Sequence, residues 1–467
     1  MAEQKRGNFS GKLGFVAAAA GSAVGLGNIW RFPYVAGENG GAAFLIIFLA
    51  CVFLICLPVM LCEIALGRKT QRNAYGAYTK IGGRKWGFIG VIGILCGFMI
   101  LSFYNVVAGW SFGYFLQIST GGLSNVDDFG NYFTQYTQNF QDNLIYSLIF
   151  MGATATIVAF GIQAGIERMA KILMPMLVGI LFFLIIYALT LENAMEGVNF
   201  YLSPDFSQIT AKTVYSALSQ AFFSLSLGLA ALITYGSYLK KSDSIVGSSF
   251  MVTTADVVIA FLAGLMIFPL VFSQGIEPTA GPGLVFVSLP GIFDAMDPVA
   301  GQILGGGFFL LICFAALTST ISILEIPVSY VVDEWKIPRK ITAFAVAGGI
   351  FIVGIPSMLS TGGAAWASEF VTYAGEKQSF FDLLDHLFSY LGLSLGGFLI
   401  CIFTAWKWKT ENLSKELAST SHWYKGSFFE KFVNTMIVYV CPVLIGLVFM
   451  LSLLEIFFGV DVFEILF

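Results

Sequence analysis

The sequence predicts an all-α polytopic membrane protein, and three observations carry that prediction. Of 467 residues, 57% are hydrophobic and only 11% charged, with a mean hydropathy of +0.83, outside the range of water-soluble domains. The apolar residues are gathered into runs long enough to cross a bilayer as a helix, about 20 residues. Two of these runs are interrupted by glycine and polar residues at comparable places in the two halves of the chain, a pattern that points to a buried binding site.

Eleven spans can be read, at 11–37, 42–66, 87–117, 144–164, 172–191, 214–239, 246–273, 302–332, 341–358, 387–406 and 433–458. Spans 1–5 (11–191) and spans 6–10 (214–406) are odd in number, so the second set enters the membrane in the opposite sense and forms an inverted repeat of the first. The eleventh span lies outside the repeat, and 1–467 reads as one domain. Basic residues set the orientation. Lys5, Arg6, Lys12, the cluster from Arg68 to Lys85, Arg168, Lys171, Lys240, Lys241, Lys336, Arg339, Lys340 and five lysines from Lys407 to Lys431 fall in the N-terminus and alternate loops, whereas the opposite loops hold only Lys212 and Lys377. This predicts a cell-membrane protein with a cytoplasmic N-terminus and an extracellular C-terminus. Met1 to Ser10 is polar and the first span too long and broken to be a signal core, so no cleavable leader is expected. The longest stretches between spans, 118–143, 274–301 and 408–432, carry no core-forming pattern. Within 274–301, Gly275, Pro278, Gly281, Pro282, Gly283 and Pro290 suggest short helices capping an entrance.

The seven cysteines all lie in apolar runs and read as small core residues. The two histidines, His386 and His422, are too far apart for a metal site. With no nucleophile–base pair either, an enzyme is disfavoured. The lysines and arginines serve topology, so the lipid bilayer is the expected macromolecular partner and nucleic acid is not. No feature specifies an oligomeric state.

The first break lies in Gly21-Ser-Ala-Val-Gly-Leu-Gly-Asn-Ile-Trp-Arg-Phe-Pro33. Glycine weakens a helix and Pro33 forbids its normal continuation, so the segment packs tightly or unwinds. Gly21 and Gly25, four apart, make a helix-packing face on their own. Asn28 and Arg31 shift the reading toward a cavity, because a charge in a span costs at least about 2.5 kcal/mol on insertion scales. Asp256, alone in a Val/Ile/Ala/Leu run, demands the same explanation. Ser224 and Ser226 at the break of span 6, and Thr318-Ser319-Thr320 in span 8, taken one at a time back-bond to their helices. Together with Asn28 and Asp256 they form a hard-oxygen set suited to sodium, and soft ligands for a transition metal are lacking.

These residues carry a family signature. GSAVGLGNIWRFPYVAGENGGAAF (21–44), Gln-Ala-Phe-Phe-Ser-Leu-Ser-Leu-Gly (220–228) with Thr234-Tyr-Gly-Ser-Tyr238, Gly165-Ile-Glu-Arg168 and Ala315-Ala-Leu-Thr-Ser319 closely resemble the neurotransmitter:sodium symporter family, over about residues 6–460. Within it the chain is similar to the bacterial eleven-span amino-acid transporters of the leucine-transporter fold, with spans 1 and 6 broken. The resemblance implies two sodium sites. One uses the carbonyl of Ala23, the side chains of Asn28, Ser224 and Asp256, and the substrate's carboxylate. The other uses the carbonyls of Gly21, Val24 and Ala315 with the hydroxyls of Thr318 and Ser319. Asp256 stands where the family usually has asparagine. The chloride positions of chloride-dependent members match Phe48, Gln220, Ser224 and Ala260 here. Phe48 and Ala260 cannot donate to an anion and Asp256 brings its own negative charge, so chloride is not expected as a cofactor. Proton uptake at Asp256 during the return step stays open.

Gly25 occupies the position of an aspartate in monoamine members, which leaves room for a substrate bringing its own carboxylate to the Tyr104 hydroxyl and the amides near Leu26 and Gly27. Ser22 and Ala23 flank this position. The implied side-chain pocket, Ile100, Phe223, Ser226, Leu229, Ser319 and Ile323, is uncharged and favours neutral, hydrophobic side chains. Leu229 replaces a larger aromatic of some members, and Ala230 replaces the second glycine of the family's Gly-x-Gly. Arg31 resembles an outer gate paired with Asp385, with Asp382 a nearby competitor, and Phe223 over Tyr104 forms the lid. Arg6 and Asp333 resemble an inner gate, with Ser237 and Tyr238 nearby and Phe9 where the family often has tryptophan. The implied function is a sodium-coupled symporter of neutral, hydrophobic L-amino acids working by alternating access. A sodium-dependent amino-acid sensor or channel-like protein is the rival, and would bind without concentrative uptake.

Overall fold

The computed structural model describes residues 7–124, 126–275, 283–460 and 462–463, with Gln208 described in its backbone only. Among these residues, nine helices are long and apolar enough to cross a membrane: Ala42–Thr70, Arg84–Ser119, Phe140–Ala159, Ile162–Ala188, Ile245–Ser273, Pro298–Trp335, Arg339–Leu359, Phe380–Trp408 and Phe428–Phe458. A tenth crossing is the pair Lys12–Ala23 and Gly27–Glu38, bent by 50° at its break. The sixth predicted span is also a pair, Ala211–Ser224 and Ala231–Gly236, each half too short to cross alone. The fold is all-α and polytopic, and spans 1 and 6 are broken as the sequence predicts.

Each break has a local cause. In span 1, Val24 leaves the helix with ψ 102°, and regular bonding resumes through a wide π-type turn at Gly27–Arg31. In span 6, Ser226, Gly228 and Ala230 have φ of 52°, 82° and 64°, a left-handed sequence that ends any α-helix. Gly228 has no alternative there, since a Cβ would strike the Leu393 carbonyl where span 10 presses on the break. Gly396 meets the carbonyl of Gly228 in the same contact. Span 8 lies at the centre, with 78% of its most apolar window buried, against 33% for spans 5 and 11 on the lipid-facing rim. All seven cysteines are buried and free.

Some expectations need correction. Pro33 does not stop span 1: it occupies the first turn of Phe32–Glu38, where a missing amide is tolerated. Span 4 ends at Ala159, not 164, and span 5 begins at Ile162, not 172. Gly161, at φ 90°, divides an apolar run that hydropathy alone joins. Helix ends elsewhere run past the apolar cores, as in Pro298–Trp335, because polar end residues remain helical. The expected short helices after span 7 are present at Leu284–Ser288 and Leu289–Asp294; residues 276–282 lie outside the described part. A small antiparallel hairpin, Val371–Tyr373 with Glu376–Gln378, was not expected.

Candidate functional site

The two breaks face each other across a buried polar cluster that span 7 completes. Asn28 Nδ2 donates to Asp256 Oδ1 at 2.7 Å, to Ser224 Oγ at 3.0 Å and to the Asp256 carbonyl at 3.2 Å. Ser224 Oγ donates to the same carboxylate oxygen at 2.8 Å. Asn28 Oδ1 accepts from the Gly25 amide at 3.0 Å. Asp256 Oδ2 is buried without a hydrogen-bond partner. A desolvated carboxylate oxygen of this kind calls for a cation, and the Asp256 carboxylate and Ser224 hydroxyl oxygens are hard ligands of the kind sodium takes, while Asn28 turns its Nδ2 toward them and its Oδ1 to Gly25. The residues therefore fit the first predicted ion position.

Of the second predicted set, the Thr318 hydroxyl meets two members. Thr318 Oγ1 lies 3.0 Å from the carbonyl of Ala315 and 3.4 Å from that of Val24. Gly21 packs on Thr318, where a Cβ would come 3.3 Å from the threonine Cβ. Ser319 instead turns toward Gly25, where a Cβ would collide with its Oγ. It stands between this set and the neighbouring cavity.

That cavity is lined by Ser22, Ala23, Gly25, Gly27, Ile100, Tyr104, Phe223, Ser224, Ser226, Leu229, Ser319 and Ile323, all predicted, and by Leu393, which was not. Its only polar groups are hydroxyls and backbone. Ser226 Oγ donates to the Ser22 carbonyl at 3.3 Å and Ser22 Oγ bonds Ser322 Oγ at 2.8 Å, which ties both breaks to span 8. Leu26 faces a second cavity above the Phe223 and Tyr104 rings, shared with Arg31 and Asp385. The Leu26 amide donates to Tyr104 Oη at 3.2 Å.

At the chloride-matching positions, Gln220 Nε2 donates to the Gly27 carbonyl at 2.8 Å, and Phe48 packs on Phe32 with ring centroids 4.9 Å apart. Ala260 is buried. Of the side-chain donors there, the Ser224 hydroxyl is engaged by Asp256 and Gln220 Nε2 spends one of its two hydrogens on the Gly27 carbonyl.

The Arg31 guanidinium stands over the ring of Phe223 at 4.5 Å and of Tyr390 at 4.9 Å. Asp385 lines the same cavity, whereas Asp382 accepts from the amide and hydroxyl of Ser379 and caps its own helix. This favours Asp385 of the two. On the opposite face, Arg6 lies outside the described residues. Asp333 accepts from the Asn73 amide at 3.1 Å. Tyr238 donates to Glu325 Oε1 at 2.6 Å, and Phe9 is buried against Phe15, Tyr235 and Tyr238.

Sequence reasoning missed four buried carboxylates, one of them Glu416, which pairs with Arg68. Glu63, in span 2, accepts from the Gly228 amide at the break of span 6 at 2.8 Å. Glu325, in span 8, pairs with Arg339. Glu167 holds the Ser10 amide at 2.8 Å and Lys171 at 2.5 Å, which fixes the start of span 1. Glu63 and Glu325 carried the same signal as Asp256, a lone charge in an apolar run.

A bundle of membrane helices with two broken spans, hard oxygens at the breaks and a cavity between them defines an ion-coupled membrane transporter. The chain belongs to the sodium:neurotransmitter symporter family, whose model matches residues 6–139 and 125–458. It is 39% identical to the uncharacterized sodium-dependent transporter YhdH of Bacillus subtilis, over 96% of this chain and 98% of that protein. It is 36% identical to an uncharacterized sodium-dependent transporter of Haemophilus influenzae, over 96% and 99%. Among solved structures it is similar to MhsT in complex with L-phenylalanine, at a TM-score of 0.86 and 43% identity, covering 96% of this chain and all of that one. The protein is a multi-pass, sodium-dependent transporter of small molecules and not an enzyme.

Proposed function

We propose that this protein imports neutral, hydrophobic L-amino acids with sodium, without chloride, by alternating access. The observation that carries this reading is the pairing of a pocket lacking any fixed charge with a carboxylate, Asp256, beside the break that lines it. A substrate that brings its own carboxylate complements the backbone amides of the span 1 break and the Tyr104 hydroxyl. Its ammonium suits the carbonyls freed where the first half of span 6 ends. The apolar remainder, Ile100, Leu229, Ile323 and Leu393, takes an uncharged side chain, and the similarity to a protein solved with L-phenylalanine agrees.

In this reading Asn28, Ser224, Asp256 and the Ala23 carbonyl hold one sodium beside the substrate carboxylate. Gly21, Val24, Ala315, Thr318 and Ser319 hold a second, fastening span 1 to span 8. The ions supply positive charge where the helices are unwound. The residues hold the two breaks in register, so substrate and ion strengthen each other's binding, as linkage requires. Chloride independence rests on Phe48 and Ala260, on the Ser224 hydroxyl already donating to Asp256, and on the charge of Asp256. Spans 1–5 and 6–10 act as the inverted repeat, within a single transporter domain. With the N-terminus cytoplasmic and the membrane that of the cell, Arg31, Asp385 and Phe223 close the outer side, and Arg6, Asp333 and Tyr238 the inner. The test is uptake into proteoliposomes driven by a sodium gradient, with the twenty amino acids as competitors and gluconate replacing chloride. Concentrative uptake competed by branched, aromatic or sulfur amino acids is expected; binding without accumulation would overturn it.

A further inference from the structure

We infer that the Asn28 carboxamide is a switch that withholds the Gly25 amide until a cation takes its place. The inference rests on the functional reading above and deepens it.

The orientation of Asn28 is fixed by its partners. A carboxylate and a carbonyl can only accept, so the NH₂ end must face Asp256 Oδ1 and the Asp256 carbonyl. A backbone amide can only donate, so the carbonyl end must face the Gly25 N–H, 3.0 Å away. In this arrangement Nδ2 presents its hydrogens to the oxygens of Asp256 and Ser224 that would hold a cation. An N–H group cannot coordinate a positive ion. Coordination by Asn28 therefore requires the carboxamide to turn until Oδ1 points at Asp256 and Ser224.

That turn has a second effect. Oδ1 leaves the Gly25 amide, which is then a buried donor without an acceptor and costs about 1–3 kcal/mol until it finds one. Gly25 lines the substrate cavity with no side chain of its own, so a substrate carboxylate in that cavity is an acceptor within reach. The adjacent Leu26 amide is held in parallel by Tyr104 Oη, a group that can itself turn and donate to the carboxylate. Before the turn, a carboxylate arriving at the span 1 break meets amides already bonded to side chains. After it, the Gly25 donor is exposed. Asn28 is thus a positioning residue that makes one ligand's arrival the condition for the other's hydrogen bond.

Solid-state NMR of the full chain in proteoliposomes tests this without transport. Valine labelled at the carbonyl carbon and glycine labelled at nitrogen restrict the signals to four Val–Gly pairs, ending at Gly25, Gly179, Gly247 and Gly354, and Asn28→Ala, or Asn28→Ser should that variant fail to fold, identifies Gly25. With sodium in place of potassium and no amino acid, the Gly25 amide proton is expected to move upfield as its hydrogen bond is lost. Added L-phenylalanine should return it downfield. In Asn28→Ala the signal should lie upfield in potassium already and ignore sodium alone. A Gly25 signal unmoved by sodium, in protein that still binds labelled phenylalanine only in sodium, overturns the switch and leaves the functional reading standing. Phenylalanine binding equal in sodium and potassium overturns the functional reading, and the switch with it.

Discussion

The Gly228 amide donates to Glu63 Oε1 at 2.8 Å, so a carboxylate buried in span 2 holds the break of span 6 from the side away from the substrate cavity. The bond is isolated: Glu63 Oε2 has no partner, and no ion pair within 4 Å reaches Glu63 among the described residues. Glu63→Ala deprives a buried amide of its acceptor, about 1–3 kcal/mol. Sodium-dependent amino-acid binding is expected to weaken about tenfold or more, while Glu63→Gln, which keeps a carbonyl oxygen, should recover most of it. Equilibrium binding of labelled amino acid separates the two. Equal losses in both variants would show that Glu63 does not act through Gly228.

Asp256 carries the prediction on ions. Replacement of chloride by gluconate is expected to leave sodium-driven uptake unchanged. Asp256→Asn removes the one negative charge of the cluster while Ser224 and Asn28 keep hydrogen-bonding partners, so the sodium dependence of binding should shift to at least about tenfold higher concentration, corresponding to roughly 1.4 kcal/mol or more. A sodium titration of binding in wild type and variant measures it. An unchanged midpoint would remove Asp256 from the ion site.

Why these residues were legible and others were not follows from range. Asn28 and Asp256 stand out because a polar group in an apolar run is costly wherever the chain goes, and the glycines around them break a helix locally. The partner that a buried group finds is not local. Glu63 meets Gly228 across 165 residues, and no spacing in either run predicts the pair. Pro33 misled because its effect depends on position within a helix, and the π-type turn at Gly27–Arg31 places it in a first turn. The boundary at Gly161 was hidden because hydropathy averages over a backbone turn that φ 90° makes abrupt. The hairpin at 371–378 has strands of three residues, too short for alternation to register.

Gly25 shapes the substrate. A Cβ there would collide with Ser319 Oγ and come 3.2 Å from Tyr104 Oη, two hydroxyls that line this cavity. Gly25→Ala is expected to abolish detectable amino-acid binding while the protein still folds, as judged by its elution in detergent. Gly25→Asp should fail likewise with amino acids. Retained affinity for hydrophobic amino acids in Gly25→Ala would mean that the carboxylate is not held at this turn.

Arg31 is held mainly by aromatic faces. Its guanidinium lies 4.5 Å from the Phe223 ring and 4.9 Å from the Tyr390 ring, and no ion pair within 4 Å joins it to Asp385 among the described residues. Arg31→Gln removes two cation–π contacts, worth together about 1–2 kcal/mol, so the closed arrangement of Phe223 over Tyr104 should lose population by roughly 5- to 30-fold. A cysteine at Phe103, which lines the cavity above those rings, reports the change. Since the seven native cysteines are buried, a membrane-impermeant thiol reagent applied from outside reads the introduced one, and its reaction is expected to accelerate in Arg31→Gln by a similar factor. Arg31→Lys keeps the charge but not the planar face that lies on the rings, and should fall between the two. Equal rates in Arg31→Lys and Arg31→Gln would mean that charge alone contributes nothing and that the stacking geometry carries the closure. Unchanged rates in both would remove Arg31 from the gate.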